Sequence, residues 1–93
     1  MPSGYYKLIF VSKTGELDTA TFDRQPTTND IEFHAAETER FAIQRIGDRW
    51  EVYDLKTLRT LMGSNVYTIG LPIFTHEDED AAITYAVLMA GRE

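Results

Sequence analysis

The stretch that decides the fold spans residues 75–91 and reads THEDEDAAITYAVLMAG. Both of its ends carry helix signals: Thr75 can cap the N-terminus, and Gly91 can adopt the left-handed conformation that ends many helices. The carboxylates of residues 77–80 favour the positive N-terminal end of a helix dipole. The stretch therefore predicts a helix from about Glu77 to Ala90.

Two β-hairpins are predicted before this helix. The first pairs residues 5–12 with residues 17–22, which are rich in aromatic and β-branched side chains, across a loop that contains a glycine. The second pairs residues 40–46 with residues 49–55 across a two-residue Gly-Asp turn of type II′. Apolar and polar side chains alternate in this second pair, so each strand should present one apolar face.

Residues 31–39 allow two interpretations. Asn29 or Asp30 could cap a short helix over about residues 29–39, because both side chains accept hydrogen bonds from backbone amides. Residues 31–34 nevertheless alternate between apolar and polar side chains, as in a half-buried strand. We favour the strand slightly over the helix.

The remaining segments complete an α+β domain that spans residues 1–93. Residues 58–62 can add a strand or a helical turn, and residues 66–74 predict a short edge strand that leads into the helix. The predicted fold is an antiparallel sheet of four or five strands with the C-terminal helix packed on one face. The predicted core consists of Leu8, Phe10, Phe41, Ile43, Trp50, Val52, Ala82, Tyr85, Val87 or Leu88, and Met89.

Composition limits the classes of function. The 93-residue chain has no cysteine, which excludes disulfides and thiolate zinc sites, and its formal charge of −6 opposes binding to nucleic acid or to an anionic membrane. A basic protein partner is favoured instead. No apolar run approaches the length of a membrane span, and the first residues lack the basic start of a signal peptide, so we expect a cytoplasmic protein.

The sequence carries no recognisable catalytic or cofactor motif. His34 and His76 are the only histidines, and the carboxylates of residues 77–80 beside His76 should fan out around a helix start instead of converging on a metal. No serine stands in a Gly-x-Ser-x-Gly nucleophile elbow, and there is no phosphate-binding glycine loop. We expect no enzyme activity, no metal and no cofactor.

Two kinds of side chain could instead contact a protein partner. Tyrosine gives a large contact area at low entropic cost, and acidic clusters can imitate the phosphates of a nucleic acid. The sequence has two acidic groups: one is residues 77–80, and the other comprises Asp30, Glu32, Glu37 and Glu39. The candidate partner-binding residues are Tyr5, Tyr53, Tyr67, Glu77, Asp78, Glu79 and Asp80.

The order of hairpin, hairpin, short strand and helix resembles small accessory proteins of phages and mobile elements, including some anti-CRISPR proteins. The resemblance covers roughly the last fifty residues, where residues 74–78 open the helix and Ala81-Ala82 continue it, and it carries over no functional residue. It implies an inhibitor or adaptor that occupies a surface of a host or defence protein without chemistry of its own. The alternatives are an acidic nucleic-acid mimic that blocks a DNA- or RNA-binding protein, and a small enzyme or metal-binding protein.

Overall fold

A computed structural model describes residues 6–55 and 72–92. Within these residues five strands form one sheet in the order β2-β1-β3-β4-β5, and every neighbouring pair is antiparallel. This α+β architecture, with the C-terminal helix packed against the sheet, confirms the predicted fold class. The elements are β1 (Tyr6–Ser12), β2 (Leu17–Phe22), α1 (Thr28–His34), β3 (Glu39–Ile46), β4 (Arg49–Asp54), β5 (Phe74–His76) and α2 (Glu79–Ala90).

Both predicted hairpins are confirmed, and a glycine makes each turn possible. In the first, the amide of Ser12 donates to the carbonyl of Glu16 at 2.9 Å, while Gly15 has a φ of 85°. In the second, Gly47 has a φ of 64° and follows directly on β3. A side chain at either position would be strained, because L-residues other than glycine seldom adopt positive φ. The predicted hairpin strands lie within one residue of the observed ones over the described residues.

The sheet carries an apolar cluster on each face. Side chains alternate along β1, so Ile9 and Val11 lie on the face covered by α2, whereas Leu8 and Phe10 lie on the opposite face with Ile31 of α1. Apart from Leu8 and Phe10, the residues of the predicted core lie in the cluster on the α2 side of the sheet or pack against it. The buried apolar residues that it missed are Ile9, Val11, Ile31, Ala42, Tyr53, Leu55, Ala86 and Ala90.

Helix α2 contacts the sheet through a row of small side chains. Ala82, Ala86 and Ala90 are buried at intervals of four residues, which place them on one face of the helix. Their small size lets the helix backbone approach the sheet closely. Of the two alternatives in the predicted core, Val87 is half-buried and Leu88 is 63% exposed, so Val87 is the packed residue.

The predicted N-cap of this helix is wrong, whereas Gly91 is the C-cap as predicted but does not adopt the predicted left-handed conformation. Thr75 belongs to β5 and pairs with Glu51 of β4, so the sheet fixes its backbone four residues before the helix begins. The N-cap is Asp78, whose side chain makes no capping hydrogen bond. Gly91 has a right-handed φ of −70°, and its amide continues the helical pattern by donating to Val87 O at 3.1 Å.

The favoured strand at residues 31–39 is also wrong, because residues 28–34 form helix α1. A capping box starts this helix: the amide of Asp30 donates to Thr27 Oγ1 at 3.3 Å, and the amide of Thr27 donates to Asp30 Oδ2 at 2.8 Å. This local exchange of hydrogen bonds outweighs the alternating pattern. The predicted element at residues 58–62 and most of the predicted strand at residues 66–74 lie outside the described residues.

Candidate functional site

Tyr53, a candidate for contact with a partner, is buried. Its side chain is 6% exposed and belongs to the apolar cluster beneath α1. Its hydroxyl donates to Glu51 Oε1 at 2.5 Å and accepts a longer hydrogen bond from Gln44 Nε2 at 3.4 Å. Burial, followed by the hydrogen bond to Glu51, raises the pKa of the Tyr53 hydroxyl well above its ordinary value. Tyr53 is therefore a neutral, internally bonded phenol.

The other two candidate tyrosines, Tyr5 and Tyr67, lie outside the described residues. Their contribution to partner binding stays a prediction.

The acidic candidates lie at the start of α2. Glu77, Asp78 and Asp80 are exposed. Glu79 forms an ion pair with Lys7, with 2.8 Å between Glu79 Oε2 and Lys7 Nζ. The amide of Asp78 donates to His76 Nδ1 at 2.9 Å, so this histidine is held by the backbone of the acidic segment. Three exposed carboxylates therefore remain on this part of the molecule, and the fourth helps to tie α2 to β1.

An exposed aromatic cluster on the other side of the sheet was missed by sequence reasoning. Phe33 of α1 is 85% exposed, and its ring packs edge-on against His34 with the centroids 5.3 Å apart. His34 in turn packs edge-on against Phe22 of β2 at 5.2 Å. We call Phe22, Phe33 and His34 the aromatic cluster. The Thr27–Asp30 capping box was the signal that could have revealed it, because a helix, unlike a strand, turns Ile31 inward and Phe33 outward.

The carboxylate of Asp30 joins the start of α1, the helix that carries Phe33 and His34, to Arg24. Arg24 donates to both of its oxygens, at 2.5 and 2.9 Å, and the Arg24 guanidinium also lies 5.9 Å from the ring centroid of Phe22. The same carboxylate accepts hydrogen bonds from the amide and hydroxyl of Thr27. Arg24 and then Thr27 lower the pKa of Asp30 far below its ordinary value. The first turn of α1 is thus fastened to the loop that follows β2.

This geometry predicts how acid affects the protein. Because the pKa of Asp30 is lower in the folded chain than in the unfolded chain, ionised Asp30 stabilises the fold above roughly pH 4, and this contribution is lost as the pH falls toward the folded pKa. Asp30→Asn should therefore lower the melting temperature at neutral pH. The difference from the unmodified protein should shrink between about pH 4 and pH 2.

The Arg24→Gln background provides the control for this experiment. Since Arg24 is the main cause of the lowered pKa, the pH-dependent part of the Asp30→Asn effect should be smaller in that background. A melting-temperature difference that stays constant from neutral to acid pH would contradict the assigned role of Asp30.

A cleft of about 670 Å³ opens at the end of the sheet where β1 begins and β3 ends. Two rings and two cations line it, but Lys7 is paired with Glu79, and Arg45 Nε donates to the carbonyl of Gly47 at 2.9 Å. The described lining residues are Tyr6, Lys7, Gln25, Arg45, Gly47, Trp50 and Glu79. Its mixed charges favour no single class of ligand.

Within residues 6–55 and 72–92, no three His, Cys, Asp or Glu side chains are grouped so that they could hold a metal ion. No helix in the same part of the chain is long and apolar enough to cross a membrane. No protein-family model, curated protein or solved structure matches this chain. Among the described residues, the aromatic cluster at the end of α1 and the carboxylates at the start of α2 are the two candidate contact surfaces, and the two helices lie on opposite faces of the sheet.

Proposed function

We propose that this chain is a non-catalytic protein-binding module that occupies a surface of a host or defence protein, as an inhibitor or adaptor in the cytoplasm of a bacterial cell. The observation that carries the proposal is the exposed ring of Phe33 in the aromatic cluster. Burying a phenylalanine side chain is worth roughly 1.5–3 kcal/mol, and aromatic residues are enriched in the centres of protein interfaces. Because the Phe33 ring is exposed in the free protein, a partner that buries it would gain this free energy.

The local structure around Phe33 also favours binding. The contacts of Phe33 with His34 and of His34 with Phe22, together with the capping box, restrict the positions that α1 can adopt, so little conformational freedom remains to be lost on association. The Arg24–Asp30 hydrogen bonds also tie the start of α1 to the loop after β2, which favours recognition of a complementary apolar pocket by the aromatic cluster.

Net charge determines the kind of partner that this surface suits. The chain carries a formal charge of −6, so a basic protein would be attracted at long range and would associate faster. Glu77, Asp78 and Asp80 lie on the face opposite α1. In this proposal they contribute to the long-range field and not to the direct contact.

A capture experiment with matched variants tests the proposal. The unmodified chain, Phe33→Ser and Leu88→Ser are immobilised and exposed to bacterial lysate, and the bound proteins are identified by mass spectrometry. Leu88 is the control because it is a large apolar residue that is 63% exposed on α2. We expect a specific protein on the unmodified chain and on Leu88→Ser, and its loss on Phe33→Ser. Equal capture by all three baits would contradict the role of the aromatic cluster.

A further inference from the structure

Strand β2 forms one edge of the sheet, and its hydrogen-bonding pattern shows which backbone groups point outward. Next to the hairpin loop, Ser12 N–H donates to Glu16 O, so these two residues form a hydrogen-bonded pair. In an antiparallel ladder such pairs alternate with pairs that exchange no hydrogen bonds, so every second residue pair along β1 and β2 is hydrogen-bonded. The register pairs Asp18 with Phe10, Ala20 with Leu8 and Phe22 with Tyr6. The backbone groups of these three β2 residues face β1, whereas those of Leu17, Thr19 and Thr21 face outward.

Apart from one charged side chain, this outer edge lacks the features that usually prevent strands from associating. Among the described residues no strand pairs with it. The sequence LDTATF contains no proline and no lysine, and its pairing with β1 continues without a bulge over all six residues. Natural edge strands are commonly protected by charges, prolines or bulges. The one charged side chain, Asp18, lies among exposed neighbours.

We propose that β2 pairs with β2 of a second copy of this chain, antiparallel and with the two-fold axis at Thr19. In this register Leu17 lies opposite Thr21 of the second copy and Thr19 lies opposite its own counterpart. All outward N–H and C=O groups of the three residues are then satisfied by about six interchain hydrogen bonds. The two five-stranded sheets would form one continuous sheet.

Side-chain chemistry selects this register over its neighbours. With the axis at Thr19, Asp18 lies opposite Ala20 of the second copy, and the two Thr19 side chains form a Thr–Thr pair, which is favourable across strands. Moving the axis to Asp18 would place two carboxylates directly opposite each other, which is unfavourable. Moving it to Ala20 would leave Leu17 opposite Asp23, beyond the end of β2.

This dimer goes beyond the proposed function, because it uses the backbone of β2 and not the ring of Phe33. Sedimentation velocity of the full chain between about 1 and about 500 μM should show a monomer–dimer equilibrium, with a dissociation constant on the order of 10 μM for so small an interface. Phe33→Ala should leave this equilibrium unchanged. A monomer at every concentration would overturn the proposal.

Charge substitutions at the two-fold axis test the register itself. Thr19→Lys and Thr19→Glu each place like charges directly opposite, so each variant alone should raise the dissociation constant about tenfold or more. An equimolar mixture of the two should dimerise, since opposite charges then face each other. Thr84→Lys, at an exposed position on α2, is the matched control and should dimerise normally.

Hydrogen exchange gives an independent measure of the contact. The amides of Leu17, Thr19 and Thr21 should become protected as the protein concentration rises, and circular dichroism should show that the charged variants remain folded. Dimerisation that persists in both Thr19 variants, or a mixture that stays monomeric, would overturn the proposed pairing.

Discussion

Phe10→Ala is expected to cost about 3–5 kcal/mol of the free energy of unfolding. Phe10 is 2% exposed and lies in the cluster that contains Ile31, beneath α1. Truncating the ring removes its transfer free energy and leaves a cavity that the neighbouring strands cannot fully close. A chain of this length has a total stability of roughly 5–14 kcal/mol, so the loss would be a large fraction of it. Chemical denaturation monitored by circular dichroism measures the change.

Phe33→Ala is the matched control for Phe10→Ala. The two substitutions remove the same atoms, but the ring of Phe33 is 85% exposed, so its truncation should change the free energy of unfolding by no more than about 0.5 kcal/mol. Equal destabilisation by the two substitutions would mean that the face beneath α1 is not packed as described.

Ala86→Glu should destabilise the protein by about 4 kcal/mol or more. Ala86 is fully buried in the row of small residues through which α2 contacts the sheet. A glutamate there adds volume between helix and sheet and places an unpaired carboxylate among apolar side chains. Either the helix must leave the sheet or the carboxylate must remain protonated, and both outcomes lower the melting temperature strongly at neutral pH.

Leu88→Glu is the control on the same helix. Leu88 is 63% exposed, so a carboxylate at this position stays in water and the cost should be about 0.5 kcal/mol or less. A comparable loss from both glutamates would contradict the assignment of the buried face of α2.

The sheet could be predicted from sequence where the determining signals are local. Gly15 and Gly47 supply the positive φ that each hairpin turn requires, and the strands that flank them are rich in apolar and β-branched side chains. The C-terminal helix could be predicted from its composition. The first residue of this helix could not be predicted, because Thr75 pairs with Glu51 in the sheet and Glu51 lies far from it in sequence.

The aromatic cluster could not be predicted because the sequence favoured a strand at residues 31–39, whereas residues 28–34 form a helix. Residues 31–34 match a strand by alternation, but the reciprocal hydrogen bonds of Thr27 and Asp30 start a helix just before them. The helix buries Ile31 and exposes Phe33. Tyr53 was misjudged for a related reason: its burial depends on a cluster assembled from β1, β3, β4 and α1, which no single stretch of sequence reveals.

The affinity of the captured partner for variants of the two candidate surfaces tests the central claim most directly. Titration calorimetry would compare the unmodified chain with Phe33→Ala and with the double variant Glu77→Lys, Asp80→Lys. If the aromatic cluster is the contact surface, Phe33→Ala should weaken binding by about 2 kcal/mol, roughly 30-fold, while the double variant changes it by about threefold or less. Near-normal binding by Phe33→Ala, with loss of binding in the double variant and competition by added DNA, would contradict the account and favour an acidic nucleic-acid mimic.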